Sequence, residues 1–561
     1  MSFADDGSNL GLNQIKKKSP ASLTCNGMAE GFGWFDVLLY GPLVGLIVFS
    51  LFILERYLTY RKVCKKVEHI PGYEQFLPPA IASMFPKWLL PKDYFTTAGE
   101  FVTIESMEES MKKFGTDHFK VVLGFVNIPL VIVDNPDMGK EIATKGTKIY
   151  RKNAIDKKTF IELFSASNIF SETDQQVWSH QRHLIDPSFA PESLRMVADV
   201  TTSIMLEEMI PSIDKQLKSR DVMTDFAKLT MDVIGKAGFG YSFDSFHNQN
   251  NGLEEKTNNF LKYFEVVKLL PSEYLRRNFR VGIFGKLHDA IDSFRVVIKD
   301  IIAKREREEN NGDEEQYDVL SLLLKDRKNQ TNIQASQDGA LSDDELIALI
   351  VILLVAGHET TARTLGFALY FLAKNPQVQK ELQDGLDLFV KTYKKDTFDY
   401  EDFTSGRLDF VKAVFKETLR LLPVAVGIVR EMQKSVLWED KVTIPKGAFT
   451  VYTWTMSQRS PKYWDKAEEF IPSRFLKKDE TSGQLTVFNP QTNPFVYTPF
   501  GIGGRICIGK NFAEVEAVMA LAYLAHRYQF KLTNPYYKMD LDVRVTLRPK
   551  ETLLVDLEPR Y

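Results

Sequence analysis

Hydrophobic and polar positions divide the chain into a long helical centre with short β segments towards either end. Residues 119–125 and 129–134 carry apolar and β-branched side chains on either side of Asn127-Ile128-Pro129, which predicts a hairpin. Asp134-Asn135-Pro136 then caps a helix running to about Lys145. From there to about residue 470 the spacing is chiefly helical, and strands return at residues 442–452 and 543–557. Ser342-Asp343-Asp344-Glu345 forms a capping box that opens a helix to about Ala373, where Asn375-Pro376 stops it. Such a helix is roughly 45 to 50 Å long, and residues 347–355 within it are wholly apolar, as burial on all sides requires. The pattern predicts a mainly α (α+β) fold: a large helical body with small sheets at its side, not alternating βαβ units.

One segment departs from this pattern. Residues 37–54 are apolar apart from Tyr40 and Ser50 and lie between Asp36 and Glu55, long enough at about 18 to 20 residues to cross a bilayer. A buried core helix and a cleaved signal are the competing readings. More than thirty residues precede the run and no small-residue cleavage pattern follows it, which argues against the signal. Arg56, Arg61, Lys62, Lys65 and Lys66 follow the run, against Lys16, Lys17 and Lys18 before it, placing the C-terminal body on the cytoplasmic side. The expected organisation is a lumenal tail (1–33), a transmembrane anchor (34–55), a basic, proline-rich linker (56–92) and one catalytic domain (93–561). Prolines 71, 78, 79, 86 and 91 stiffen that linker.

Composition narrows the function classes. The 561 residues are 44% hydrophobic and 26% charged, with net charge −3, and no sustained basic stripe suggests nucleic acid as a partner. Cys25, Cys64 and Cys507 are an odd, widely spaced set, unlike a disulfide framework, which suits a reducing compartment.

Candidate chemistry concentrates in four places. Thr498-Pro499-Phe500-Gly501-Ile502-Gly503-Gly504-Arg505-Ile506-Cys507-Ile508-Gly509 packs four glycines and a lone cysteine ahead of a helical run from 510 to 528. The helix end favours the thiolate of Cys507, a ligand for a soft or redox-active metal, iron in haem among the candidates. The bland alternative is an inert cysteine in a glycine-rich turn. Trp178 and Arg182 project from one helix face and suit a carboxylate, or else simply stack on each other. Ala356-Gly357-His358-Glu359-Thr360-Thr361 interrupts the apolar helix with an acid and two hydroxyls, where Gly357 lets the helix open locally. The bland account there is Thr360 bonded back to its own helix with Glu359 in an ion pair. Glu417 and Arg420 face each other at i, i+3, a spacing common in surface pairs.

Taken together, these motifs resemble the cytochrome P-450 family of haem-thiolate monooxygenases, of the microsomal, membrane-anchored eukaryotic type and fungal-like. Phe500-x-x-Gly503-x-Arg505-x-Cys507-x-Gly509 matches the family's haem-ligand signature, and Ala356-Gly357-x-Glu359-Thr360-Thr361 its helix motif. Glu417-x-x-Arg420, Pro472-x-Arg474-Phe475 and Trp178-x-x-x-Arg182 follow the family order. The resemblance implies a triangular helical body holding haem b, with Cys507 as its axial thiolate and Phe500 and Arg505 in the cofactor loop. It also implies Trp178, Arg182 and Arg430 at the haem propionates, and Glu359 and Thr360 delivering protons during dioxygen activation. Glu417, Arg420 and Arg474 become a structural charge network behind the loop, and His358 takes no role. Ala356, Val424, Ala425, Val426 and Ile428 become substrate-facing, within an uncharged segment suited to a lipophilic substrate of steroid, terpenoid or fatty-acid type.

Further implications are a separate NADPH–cytochrome P-450 reductase, cytochrome b5 as a second electron donor, dioxygen as co-substrate, and an endoplasmic reticulum membrane location. Lys510 and His183 are candidates for docking the reductase. One departure is that Ser457-Gln458-Arg459-Ser460-Pro461 lacks the His often found there, with no consequence expected for the chemistry. Two other functions stay open: a haem-thiolate isomerase or dehydratase of oxygenated lipids that needs no dioxygen, and a membrane-tethered haem carrier or sensor without catalysis. The acid–Thr pair is a reason to prefer the oxygenase.

Overall fold

The computed structural model describes residues 34–76, 104–123, 127–247, 253–268, 273–310, 318–332, 341–438, 442–478, 485–543 and 545–561. The chain divides into two units, residues 1–58 and 59–561. The tail 1–33, with Lys16 to Lys18 and Cys25, and the linker prolines 78, 79, 86 and 91 lie outside the described residues.

Helix α1 (Trp34–Lys66) begins in the first unit and continues through the basic residues that follow the apolar run. Ile47, Leu51, Phe52, Leu54 and Leu58 are each at least 51% exposed. In the second unit Tyr60 and Cys64 are buried in a cluster with Val67, Ile70, Val122, Val131 and Trp438.

A six-stranded sheet carries the N-terminal part of the second unit. Its strands are β1 (Gly72–Gln75), β2 (His118–Leu123), β3 (Ile128–Val133), β4 (Tyr150–Lys152), β5 (Gly427–Met432) and β6 (Phe449–Thr453). They lie in the order β1-β2-β3-β6-β5-β4. β2 and β3 form the predicted antiparallel hairpin, with Leu123 opposite Ile128. Asn127 just before β3 takes the left-handed conformation, φ 53°, which asparagine tolerates better than most residues. β5 carried no strand signal: its first half closes the uncharged segment and its second half holds Arg430 and Glu431. It pairs with β6 from Gly427 opposite Thr453, and a Cβ at Gly427 would stand 2.4 Å from the Tyr452 carbonyl, so only glycine admits that approach. The strand expected at 442–452 is two: Val442–Ile444 pairs with Val436–Trp438, and a turn at Gly447, φ 82°, leads into β6.

The predicted cap of the helix Pro136–Lys145 is made by Asn135, whose side chain accepts from the Asp137 N–H at 2.8 Å. Asp134 turns inward instead. It accepts from Thr453 Oγ1 at 2.8 Å, Met456 N at 2.7 Å, Ser457 N at 2.9 Å and Ser457 Oγ. Burial nevertheless raises its carboxyl to about 6.

Five helices place the candidate chemistry: α2 (Gln175–Ile185), α3 (Val222–Val233), α4 (Asp343–Lys374), α5 (Asp409–Leu421) and α7 (Lys510–Arg527), with the short α6 (Thr455–Arg459) beside α5. The capping box at Ser342 and Glu345 is present. Leu346 to Val355 are all buried, and α4 packs against α3, α5 and α7. Among the described residues α4 is the helix long and apolar enough to cross a membrane, and it is an interior helix. The charged run that begins at Glu306 starts within the helix Ile283–Asn310. Asp318 is buried at 2.7 Å from Arg305 rather than solvated: one carboxylate neutralises the Arg305 guanidinium in the core.

Candidate active site

Residues 498–509 fold back on themselves. The Gly501 N–H donates to the Thr498 carbonyl and the Cys507 N–H to the Phe500 carbonyl, each at 2.9 Å. Gly501 and Gly503 adopt φ of 81° and 66°, conformations that L side chains resist. Phe500 packs against Phe415 of α5 with ring centroids 6.4 Å apart, while Gly504, Ile506 and Cys507 are exposed. Cys507 thus keeps accessible area although protein surrounds it on most sides. Burial pushes its thiol above the ordinary value, while the Gly509 N–H and the nearby cations Arg182 and Lys510 pull it down. The helix end and its cations act in the expected direction, and burial outweighs them. A metal bound there would supply the missing charge, since ligation deprotonates a thiol outright.

Opposed to burial elsewhere in α4 is a single break. Ala356 is the one exposed residue between Leu346 and Ala373, in the turn that carries Glu359 and Thr360. Thr360 Oγ1 donates to the Ala356 carbonyl at 2.9 Å, Thr364 Oγ1 to the Thr360 carbonyl at 2.9 Å, and Thr230 Oγ1 from α3 to the His358 carbonyl at 2.9 Å. Three alternate carbonyls of the helix therefore each receive a hydroxyl, yet the helix stays continuous, so the local opening expected at Gly357 is absent. Glu359 pairs with Arg363, whose Nε stands 2.8 Å from Oε1, and Glu359 Oε2 is buried without a partner. These are the contacts of the bland account, and Arg363 carried no sequence signal beyond its i, i+4 spacing. His358 is buried with neither ring nitrogen bonded, and burial beside Arg363 holds it neutral, down to about 3.

Cations gather where β4, β5 and the cysteine loop meet. Lys152 stands opposite Arg430 in the β4–β5 register, and each lies close enough to Arg505 to feel its charge. Arg505 Nη1 donates to the Glu172 carbonyl at 2.6 Å, and its guanidinium lies 4.5 Å from the Trp178 ring. Its Nε and Nη2 are buried without partners. Among the described residues Arg430 Nη1 donates to the neighbouring Val429 carbonyl alone, at 2.9 Å. Burial and mutual repulsion lower Lys152 to about 8 and Arg430 to about 10; Arg505, lowered by burial and raised by Glu172, stands at about 10. Asp156 is near Lys152 at 3.8 Å but is shared with Lys268 at 3.2 Å. The surplus positive charge fits a dianionic group. Lys152 was not found from sequence, because its pairing with Arg430 spans two strands far apart in the chain.

Arg182 reaches the cysteine loop. Its Nη1 donates to the Ile506 carbonyl at 2.7 Å and its Nε to Asp186 at 3.1 Å, while Trp178 on the same helix is buried beneath Arg505. Behind the loop, Glu417 accepts from Arg420 Nε at 2.7 Å and from Arg474 Nε at 3.0 Å, so those three residues do come together. Val424 is buried against Leu422, Leu547 and Phe367. Ala425, Val426 and Ile428 keep partial exposure. Glu516 of α7, which sequence reading missed, is buried beside Thr361 with neither oxygen hydrogen-bonded, and burial keeps it well above the usual carboxylate range.

An accessible cysteine inside the body, an exposed alanine in a buried helix and unpartnered guanidinium donors fit a flat, iron-bearing dianion such as haem b. A family model described as "Cytochrome P450" matches residues 93–555. The chain is similar to Cytochrome P450 3A5 of Homo sapiens, 28% identical over 77% of this chain and 83% of that protein. Similarity to Cytochrome P450 3A2 of Rattus norvegicus is 27% over 92% of this chain and 96% of that one. Both relatives are animal proteins and lend no support to the fungal-like kind expected.

Proposed function

Since the chain belongs to the cytochrome P450 family, we propose that Cys507 is the axial ligand of its haem and that it oxygenates a lipophilic small molecule with electrons from a separate NADPH-dependent reductase. The enzyme is a monooxygenase, and haem with an axial cysteine thiolate is its cofactor. Bound haem supplies the redox-active iron at which dioxygen is reduced. The observation that carries the ligand assignment is Cys507, accessible within a crowded loop whose backbone is locked at Phe500.

The chain's own residues have distinct tasks in this reading. Cys507 would hold the iron as a thiolate and lend it the electron density that this chemistry needs. Arg430, Arg505 and Lys152 hold the cofactor's carboxylates, with Trp178 as the floor under Arg505. Arg182 fixes the loop through Ile506. Phe500 closes the loop's inner side. Thr360 and Glu359 move protons after exchanging their present partners, Ala356 O and Arg363, for water. Ala356, Val424, Ala425, Val426 and Ile428 exclude water and hold the substrate, and their lack of charge is what supports a steroid, terpenoid or fatty-acid type. Glu417, Arg420 and Arg474 keep the scaffold rigid.

The half-exposed apolar side chains of α1 and the excess of Lys and Arg after its apolar run support a single-pass anchor at 34–55 in the endoplasmic reticulum membrane, with a lumenal tail at 1–33. A catalytic domain at 93–561 then faces the cytoplasm beyond the 56–92 linker, with reductase and cytochrome b5 as partners. The second reading, an isomerase or dehydratase, gains from one observation: Thr360 and Glu359 are both engaged within their own helix. Turnover of a lipophilic panel with purified reductase separates the two. Dependence on NADPH and dioxygen supports the oxygenase, and conversion without either supports the isomerase.

A further inference from the structure

We infer that Gln458 is a positioning residue for the ligand loop: its side-chain amide connects the end of α5, where Arg420 is buried, to the backbone of Thr498. This rests on the reading of Cys507 as the iron ligand. Gln458 lies on α6 and is fully buried. Its Nε2 donates to the carbonyls of Leu419 at 3.0 Å and Arg420 at 3.2 Å, and its Oε1 accepts from the Thr498 N–H at 3.1 Å. Its own backbone is held on both sides, because its carbonyl accepts from Arg420 Nη1 at 2.8 Å and its N–H donates to the Trp454 carbonyl at 2.9 Å.

The charged network itself stops short of the loop. Arg420 donates to the carbonyls of Gln458, Ala467 and Glu469, and Arg474 to those of Asp465 and Lys466. A tie one residue earlier, Tyr497 Oη to the Lys416 carbonyl at 2.9 Å, anchors the approach. The loop proper, which opens with Gly501 bonded back to Thr498, takes its starting position from Gln458.

Carbonyls in the last turn of a helix have no partner within it, and a primary amide can satisfy two of them while its oxygen accepts the Thr498 N–H. Among neutral side chains only a primary amide does this, and that of asparagine is one methylene shorter. Leucine fills the space and leaves the N–H of Thr498 unpaired. Histidine gives one donor and one acceptor when neutral and loses the acceptor when protonated. Glutamine does not titrate, so the loop's anchor is independent of pH.

The test uses the full-length holoprotein, its Gln458→Leu and Gln458→His variants, the spectrum of the reduced CO-bound form, and the haem midpoint potential. The wild type should keep a constant thiolate-type spectrum between about pH 6 and about pH 8.5. Gln458→Leu should show about a tenfold rise in the ratio of non-thiolate to thiolate form, with a shifted potential. Gln458→His, kept neutral by burial beside Arg420, has one donor in place of two and should fall between the wild type and Gln458→Leu. A Gln458→Leu protein with full haem content and unchanged spectrum and potential overturns the inference. Where Gln458→Leu retains no haem, Gln458→His decides, and a histidine variant equal to the wild type in spectrum and potential overturns it equally. A wild type with no thiolate-type spectrum removes the Cys507 reading instead, and this inference with it.

Discussion

Arg182 Nη1 donates to the Ile506 carbonyl at 2.7 Å, one residue ahead of Cys507. The helix that carries Trp178 is thereby fastened to the ligand loop by a charge-assisted bond, with Asp186 holding the other side of the guanidinium at 3.1 Å. Arg182→Met should remove about 1.5 to 3 kcal/mol of anchoring. Faster haem loss to an acceptor protein, with folding intact by circular dichroism, is the expected result. Unchanged haem retention would show that the contact is incidental.

Thr360 now bonds back to Ala356, a contact that any mid-helix threonine can make. Its proposed task in proton transfer predicts that Thr360→Ala keeps haem content and stability within about 0.5 kcal/mol. Reducing equivalents should then be diverted from product to peroxide and water. Simultaneous assay of NADPH, peroxide and product measures this, and a coupling ratio equal to wild type removes the residue from the chemistry.

The cation cluster gives a pH dependence with a definite sign. Lys152 is lowered to about 8 by burial and by Arg430, Lys268 and Arg505, against one partly shared carboxylate, Asp156. A bound dianion favours the charged amine, so binding takes up a proton and affinity for haem falls as pH rises through about 8. Haem dissociation should accelerate above that pH in the wild type. In Lys152→Met it should start faster and change less across the same range.

How much of this was legible in the chain follows from where each signal lies. Contiguous motifs were readable: the capping box at Ser342, the buried run of α4 and the glycine-rich loop before α7 all stand where their residues placed them. Glu417 and Arg420 were legible as a pair, and Arg474 joined them through the resemblance. Lys152 opposite Arg430, Gln458 beneath Thr498 and Glu516 beside Thr361 were not, since each depends on strands or helices distant in sequence coming together. β5 was missed because Gly427, Arg430 and Glu431 interrupt its three apolar residues and leave no period of two. Within Asp134-Asn135-Pro136 the cap is Asn135, while Thr453 at the end of β6 and Met456 and Ser457 of α6 draw Asp134 inward, a contact that no local pattern shows.

Glu516 carries the opposite pH sign from a salt-bridged acid. Its folded value is raised, so the native state holds a proton that the unfolded chain releases above about pH 4.3. Stability from this residue is complete below that value and declines as pH rises towards the folded one. Glu516→Gln copies the protonated form and should cost less than about 1 kcal/mol at acidic pH. Its melting temperature relative to wild type should climb between about pH 5 and about pH 8. A parallel pair of curves would place the carboxylate charged in the fold.

The most direct measurement is the absorption spectrum of the reduced, CO-bound protein, recorded for the wild type and for Cys507→Ala. A thiolate-type spectrum in the wild type that disappears in the variant is the predicted outcome. A variant that binds haem and keeps the wild-type spectrum would contradict Cys507 as the iron ligand.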